Sequence, residues 1–149
     1  MLPEFIVKEL ERRGLDPVAY AVELITERAD PSERARLYLE GADYFWREGL
    51  ALEGRDLRHA GEKLWNSIVQ LIKAVAETRG LRHDSHRLIW AVVRRIATET
   101  GDEEAIKLFA AVEQLHVNFY EGHLDRFDFE VLKKAAAELR DKLRKLIAA

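Results

Sequence analysis

The sequence contains no cysteine, a single methionine and only three prolines among its 149 residues. The lack of cysteine excludes a disulfide scaffold, a thiol nucleophile and any metal site built on thiolates. No apolar run approaches the roughly 18–20 residues that span a bilayer, and the first residues are too charged for a signal peptide. We therefore expect a soluble, cytoplasmic protein without a membrane partner.

An excess of charge of either sign is also lacking, since 24 basic residues face 27 acidic ones. This balance argues against nucleic-acid binding driven by bulk charge, although it leaves room for a local basic patch. Arginine outnumbers lysine 16 to 8, and there are only two asparagines and two glutamines. Many charges with few thermolabile residues are typical of proteins from thermophiles, so we expect a thermophilic source.

Glycine and proline stand at a few positions, and helix-forming residues dominate between them. Asp16-Pro17 and Asp30-Pro31 each predict a helix start, with an N-cap followed by proline in the first turn. Asp56 and Ser85 predict two more. Short links between long amphipathic helices favour antiparallel neighbours, which predicts an all-α, antiparallel up-and-down bundle over residues 30–149. Residues 1–29 are expected to form an N-terminal two-helix arm, either docked on its own bundle or used for assembly.

The helix after Asp56 carries the most regular pattern. Its buried stripe is predicted to be Leu57, Gly61, Leu64, Ile68, Leu71, Ile72 and Val75. Its polar stripe is His59, Glu62, Asn66, Gln70 and Lys73. Trp65 borders the two stripes, so it is either an ordinary core aromatic or part of a second contact surface, against the arm or another subunit.

His116 is the histidine most open to a chemical role. It falls on the apolar face of its helix, between Val112 and Phe119, where a desolvated imidazole needs a hydrogen-bond partner. It is either a core histidine satisfied by a facing helix or a titratable group acting as acid, base or ligand contact. Asn118 lies two residues on and faces elsewhere. The remaining histidines lack metal-ligand spacing, and no phosphate loop is present, so we expect no metal and no cofactor.

A local basic surface is predicted between residues 79 and 95, where five arginines face one acid. Arg87, Arg94 and Arg95 lie opposite the apolar face of their helix, and Trp90 flanks them. Arginine beside an aromatic ring suits phosphate binding and base stacking. The alternative is a solvated surface of a thermophilic protein, with these arginines paired to acids of the next helix: Glu103, Glu104 and Glu113.

Three segments resemble the archaeal PaREP family: AGEKLWNSIVQLIKAVAETRG at 60–80, DSHRLIW at 84–90 and LHVNFYEGHL at 115–124. The likeness runs from about residue 3 to the C-terminus and is most specific at 115–121. The residues that carry it are Glu62, Lys63, Trp65, Ser85, His86, His116, Asn118, Phe119, Tyr120 and Glu121.

The resemblance implies a HEPN-like helical bundle (higher eukaryotes and prokaryotes nucleotide-binding), a group whose members commonly form dimers. Many of them are metal-independent ribonucleases with an arginine followed a few residues later by a histidine. Here Asn118 stands at the arginine position and His123 at the histidine position, so the cation that would stabilise the scissile phosphate is missing. We therefore predict a non-catalytic, dimeric interaction or nucleotide/RNA-binding module. The alternative is a ribonuclease using His116 or His123 as its acid–base group.

Overall fold

The chain folds as an all-α bundle. A computed structural model describes residues 2–148, while Met1 and Ala149, the outer ends of the two expected segments, lie outside it. Within that range there are seven helices and no strand, as the sequence predicts: α1 (Glu4–Arg12), α2 (Pro17–Thr26), α3 (Pro31–Leu52), α4 (Leu57–Thr78), α5 (His86–Thr100), α6 (Glu104–Glu121) and α7 (Arg126–Ala148). None of these helices is long and apolar enough to cross a membrane.

The helix starts follow the predicted caps. The Asp16 carboxylate accepts hydrogen bonds from the backbone N–H groups of Val18 and Ala19, at 2.9 and 3.1 Å. Such bonds satisfy amides that have no partner within the helix. Asp30, Asp56 and Ser85 cap α3, α4 and α5 in the same way.

Helix α4 is the centre of the bundle and packs against α3, α5, α6 and α7. Its predicted apolar stripe is buried from Gly61 to Val75, and only Leu57, at the first turn, is half-buried. Helix α3 approaches it closely at two glycines. A Cβ atom added at Gly49 would lie 2.6 Å from Cδ2 of Leu64, and one added at Gly41 would lie 2.8 Å from Oε1 of Gln70.

The arm, defined as α1 and α2, is attached to the bundle through α2. The Tyr38 hydroxyl of α3 donates a hydrogen bond to the Glu23 carboxylate of α2, and Lys73 of α4 pairs with the same carboxylate. At the start of α2, Asp16 pairs with Lys63 of α4 at 2.6 Å. Helix α1 lies further out, and none of its residues is fully buried. Helix α2 thus packs against α3, and its ion pairs with Lys63 and Lys73 hold it beside the polar face of α4.

Candidate functional site

A cleft of about 450 Å³ lies between the arm and the face formed by α4 and α6. Docked α2 supplies one wall, and α4 and α6 supply the others. Side chains from three parts of the chain line the cleft: Asp16, Tyr20 and Glu23 from the arm, Glu62, Trp65, Asn66, Gln70 and Lys73 from α4, and His116, Phe119 and Tyr120 from α6. The polar stripe of α4 is therefore largely the floor of a covered cleft rather than a solvated face.

His116 pairs with Glu62 across the interface of α6 and α4. Its Nδ1 atom lies 2.9 Å from Oε2 of Glu62, so the partner is a carboxylate of a facing helix, one of the two outcomes expected. The imidazole is 34% exposed and borders the cleft, which leaves it accessible to a ligand. The hydrogen bond that His116 donates to the Glu62 carboxylate raises the pKa of His116, against the opposing effect of partial burial, and the charges of Glu62 and Glu113 add to the rise.

The indole of Trp65 stacks against the imidazole of His116. The indole is 5% exposed and lies between two rings: Phe109, with a centroid distance of 5.3 Å, and His116, at 5.4 Å. His86 approaches the indole with a centroid distance of 6.3 Å, and its Nε2 lies 2.6 Å from the Glu113 carboxylate. Trp65 therefore belongs to the core and also borders the cleft beneath the arm. Its position combines the two alternatives, a core aromatic and a contact surface that faces the arm.

The charged groups of the cleft largely neutralise one another. Three of its four carboxylates have cationic or imidazole partners: Glu23 with Lys73, Asp16 with Lys63 and Glu62 with His116. The fourth, Glu11, is exposed at the rim. Gln70 is only 2% exposed, and its Oε1 has no hydrogen-bond partner within residues 2–148. That oxygen is enclosed against Gly41 of α3, so the half-buried amide of Asn66 and the imidazole of His116 are the polar groups open to a ligand.

The His116–Glu62 pair predicts a pH-dependent contribution to stability. Because the folded-state pKa of His116 is raised above its ordinary value of 6.5, this contribution is complete below that value and is lost as pH rises through the folded-state pKa. The difference in unfolding free energy between wild type and Glu62→Gln, measured by urea denaturation, should therefore shrink as pH rises above 6.5 and through the folded-state pKa of His116. Glu121→Gln, at an exposed position, is the control. A difference independent of pH would contradict the prediction.

The three residues considered for catalysis do not form one site. Asn118 is 1% exposed, and its Oδ1 accepts a hydrogen bond from the backbone N–H of Leu124 at 2.8 Å. It thereby closes the turn between α6 and α7 rather than facing the cleft. His123 is exposed, with its Nε2 atom 3.2 Å from Oε1 of Gln114, and it does not line the cleft. Only His116 borders the cleft.

An arginine, Arg58, does lie near this turn, but backbone carbonyls already accept its hydrogen bonds. Arg58 of α4 donates hydrogen bonds to the backbone carbonyls of Asn118 and Tyr120, at 3.3 and 2.8 Å. A guanidinium at the last carbonyls of α6 complements the negative end of the helix dipole. Gly122 follows with φ of 62°, a left-handed conformation that suits glycine. The sequence places Phe119 on the apolar face of this helix. In the structure its ring is half-buried, and Asn118 takes the buried position instead.

The arginine surface of α5 is separate from the cleft. Arg87, Arg94 and Arg95 are exposed, while Trp90 is half-buried and packs edge-on against Phe109 with a centroid distance of 4.7 Å. A shallow groove of about 370 Å³ runs along α5, with Arg82, Arg94 and Arg95 beside an aliphatic floor of Leu81, Leu88, Ala91 and Val92.

The arginines of this surface do not pair with the acids of α6 that were considered as partners. Arg95 pairs with Glu99 of its own helix, whereas Glu113 pairs with His86 and Glu104 with Lys107. In the part of the chain that the structure describes, Arg87 and Arg94 have no carboxylate within ion-pair distance. The same residues 2–148 contain no cluster of three histidine or acidic side chains placed to hold a metal ion.

Half of the residues that carry the resemblance meet at the cleft. Glu62, Trp65, His116, Phe119 and Tyr120 line it. The others lie beside it or shape the helices that form it: Lys63 pairs with the arm, Ser85 caps α5, His86 contacts Trp65, Asn118 closes a turn and Glu121 ends α6. Sequence reasoning missed the contributions of Tyr20 and Glu23, because their spacing marks them only as part of a short amphipathic helix.

Fold and cleft together define an all-α bundle in which an N-terminal arm covers a polar cleft. The chain belongs to the archaeal PaREP1/PaREP8 family, whose model matches residues 37–140. The matched region begins within α3 and ends within α7, so it includes the α4 and α6 walls of the cleft but not the α2 wall. No curated protein and no solved structure matches the chain.

Proposed function

We propose that this protein is a non-catalytic module that binds a nucleobase in the cleft beneath the arm, either as a free nucleoside or as an unstacked base of RNA. The observation that carries the proposal is a charge-balanced cleft whose remaining polar groups are neutral and whose rim is aromatic. A nucleobase offers hydrogen-bond donors and acceptors at its edge and a π face for stacking.

The charges of the cleft argue against other ligands. A phosphate inside it would face four carboxylates, and the cationic or imidazole partners of three of them are already engaged. A cation at Asp16 or Glu23 would have to displace Lys63 or Lys73 from its ion pair, and Glu11 at the rim is exposed to solvent. An uncharged heterocycle meets neither obstacle, and the half-buried amide of Asn66 can exchange hydrogen bonds with its edge.

The size and the aromatic groups of the cleft fit the same ligand. Its volume of about 450 Å³ lies within the roughly 300–1,000 Å³ of small-molecule sites. Tyr20 of the arm and Tyr120 of α6 are 38% and 61% exposed, so both rings are open to stacking. The arm and the bundle would then hold the base together.

Calorimetric titration with adenosine, guanosine, cytidine and uridine tests the proposal, with inorganic phosphate as a control ligand. At least one nucleoside should bind, and Tyr120→Ala should weaken it at least about fivefold, because stacking of one base contributes about 1–3 kcal/mol. Phe127→Ala, which removes an equally accessible ring from α7, should leave the affinity unchanged. If neither nucleosides nor a short single-stranded RNA bind, the proposal is wrong.

Variants of the arginine surface can distinguish a free nucleoside from an RNA base as the ligand of the cleft. We propose that Arg87, Arg94 and Arg95 contact the phosphates when the base belongs to RNA. Affinity for a single-stranded oligonucleotide should then fall steeply between about 50 and 200 mM salt, and Arg94→Glu should weaken it. Nucleoside affinity should respond to neither change. Equal responses for the two ligands would contradict a role of this surface in RNA binding.

A metal-independent ribonuclease is the second candidate, and the access of His116 to the cleft favours it. An imidazole oriented by a carboxylate is suited to general acid–base catalysis. The same oligonucleotide incubated with the protein and EDTA separates the two functions. Cleavage that is lost in His116→Ala but kept in His123→Ala would replace the binding proposal with this one. Intact RNA leaves the protein a binding module.

We also propose a HEPN-like arrangement of the helices, a cytoplasmic location and a thermophilic source. The resemblance of the three motif segments supports the first, and the arginine-rich composition with few amide side chains supports the last.

A further inference from the structure

The imidazole ring of His116 has a fixed orientation at the cleft. Its Nδ1 atom lies 2.9 Å from the Glu62 carboxylate, and one ring face stacks on the indole of Trp65. The ring of Tyr120 stands perpendicular to it, with a centroid distance of 5.4 Å. Because an ionised carboxylate only accepts hydrogen bonds, Nδ1 is the nitrogen that carries a proton in the neutral ring. The other nitrogen, Nε2, is therefore the one left for a ligand.

The Nε2 atom of His116 is open to the cleft. It has no hydrogen-bond partner within residues 2–148, and it is not among the buried side-chain atoms of that range that lack a partner. It therefore remains in contact with solvent where the imidazole borders the cleft. Asn66 lies one helical turn after Glu62 on α4 and lines the same cleft, so its amide is the second polar group on this side.

The charges around His116 favour the imidazolium ion. Its hydrogen bond to Glu62 raises its pKa above the ordinary 6.5, against the effect of partial burial, and the charges of Glu62 and Glu113 add to the rise. Other titratable groups face this part of the molecule: His59, Lys63 and Lys73 of α4, His86 of α5, Tyr120 of α6, and Glu11, Asp16, Tyr20 and Glu23 of the arm.

The nearby lysines do not oppose this protonation. Lys63 and Lys73 are engaged by Asp16 and Glu23, which leaves Glu62 as the charged group in contact with the ring. In the part of the chain that the structure describes, no side chain of α7 lines the cleft. The imidazolium and Glu62 form a neutral ion pair, and both ring nitrogens then donate hydrogen bonds.

We infer that His116, as an imidazolium ion, donates a hydrogen bond from Nε2 to the Hoogsteen edge of guanine, so that guanine is the base bound in the cleft. The inference rests on the proposed function and names its base. Guanine presents two adjacent acceptors at this edge, O6 and N7, whereas adenine presents one acceptor beside an amino group that repels a cation. At the corresponding edge uracil presents a single acceptor, and cytosine presents a donor. The Asn66 amide donates to the second acceptor of guanine.

Calorimetric titration of wild type with guanosine, adenosine and 7-deazaguanosine tests the assignment of the base. The last compound differs from guanosine only in having C–H in place of N7. At pH 6.5, the ordinary pKa of histidine, guanosine should bind at least about fivefold more tightly than either of the others, because paired contacts to O6 and N7 discriminate between bases by this factor or more. Equal binding of guanosine and 7-deazaguanosine, or tighter binding of adenosine, would overturn the inference.

The pH dependence of guanosine affinity tests the role of His116. The affinity should fall as pH rises above 6.5 and through the pKa of His116, because the neutral ring has no proton on Nε2. His116→Gln places an amide N–H near the position of Nε2 at every pH, so its affinity should not change with pH. Glu62→Gln removes the carboxylate that raises the pKa, so the fall should move to lower pH. His123→Gln, at an exposed position outside the cleft, is the matched control and should keep the wild-type profile.

The outcomes separate this inference from the proposed function. If no nucleoside and no RNA binds at any pH, both are wrong. If guanosine binds with an affinity independent of pH, or if His116→Gln keeps the wild-type pH profile, the cleft is still a nucleobase site but His116 does not select the base. Circular dichroism checks that each variant stays helical, and the comparison of nucleosides needs wild type alone.

Discussion

Replacement of Phe109 by alanine is expected to lower the free energy of unfolding by about 3–5 kcal/mol. The ring is completely buried, stacked against Trp65 and in edge contact with Trp90. Two large rigid indoles cannot collapse into the space it leaves, so most of the cavity would persist. Because α6 carries Phe109 and α4 carries Trp65, the loss falls on the contact between these two helices.

Urea and thermal denaturation measure this effect. A loss of this size lowers the melting temperature of a chain of this length by roughly 10 °C. Phe127→Ala is the control, because that ring is 76% exposed and its removal should change stability by less than about 0.5 kcal/mol. A loss below about 1 kcal/mol for Phe109→Ala would contradict the packing described for α4 and α6.

The same substitution should also weaken ligand binding. Trp65 lies between Phe109 and His116, so removal of one ring releases the indole that supports the imidazole. Phe109→Leu, which keeps most of the buried volume, should retain more stability and more binding than Phe109→Ala.

Valine at position 49 is expected to lower the free energy of unfolding by at least about 2 kcal/mol. A Cβ atom there would lie 2.6 Å from Cδ2 of Leu64 and 3.1 Å from the backbone oxygen of Ala60. Leu64 is completely buried and cannot move aside, so α3 would have to separate from α4. The gain in helix propensity over glycine is well under about 1 kcal/mol and does not offset this clash.

Gly54 provides the comparison for this substitution. It lies just after α3, and a Cβ atom added there would have nothing within 4 Å. Gly54→Val should therefore change stability by less than about 0.5 kcal/mol, measured by the same denaturation. Equal losses at both positions would show that valine acts through local propensity and not through the contact of α3 with α4.

The fold could be predicted from the sequence because its signals are local. Asp16, Asp30, Asp56 and Ser85 satisfy amides within their own helices, so a few adjacent residues define each start. The apolar stripe of α4 is likewise a property of one helix, and it is buried from Gly61 to Val75.

The cleft could not be predicted, because it depends on where one helix docks on others. Gln70 and Lys73 repeat with helical spacing on a polar face, which is also the pattern of a solvated stripe. Only the docking of α2, through Glu23 and Asp16, turns that stripe into the floor of a cleft. The sequence also suggested a catalytic position for Asn118, for a related reason. Its structural role depends on a hydrogen bond from the backbone N–H of Leu124, six residues later and across a turn.

The buried position of Asn118 limits which residues the turn between α6 and α7 can accept. The position to which the resemblance assigns an arginine is occupied here by a buried amide that holds the chain between α6 and α7. Arginine in its place would force a charged group into an enclosed space and leave the N–H of Leu124 without its acceptor. The turn between α6 and α7 therefore excludes a guanidinium at this position, and the imidazole of His116 remains the accessible group of the three considered for catalysis.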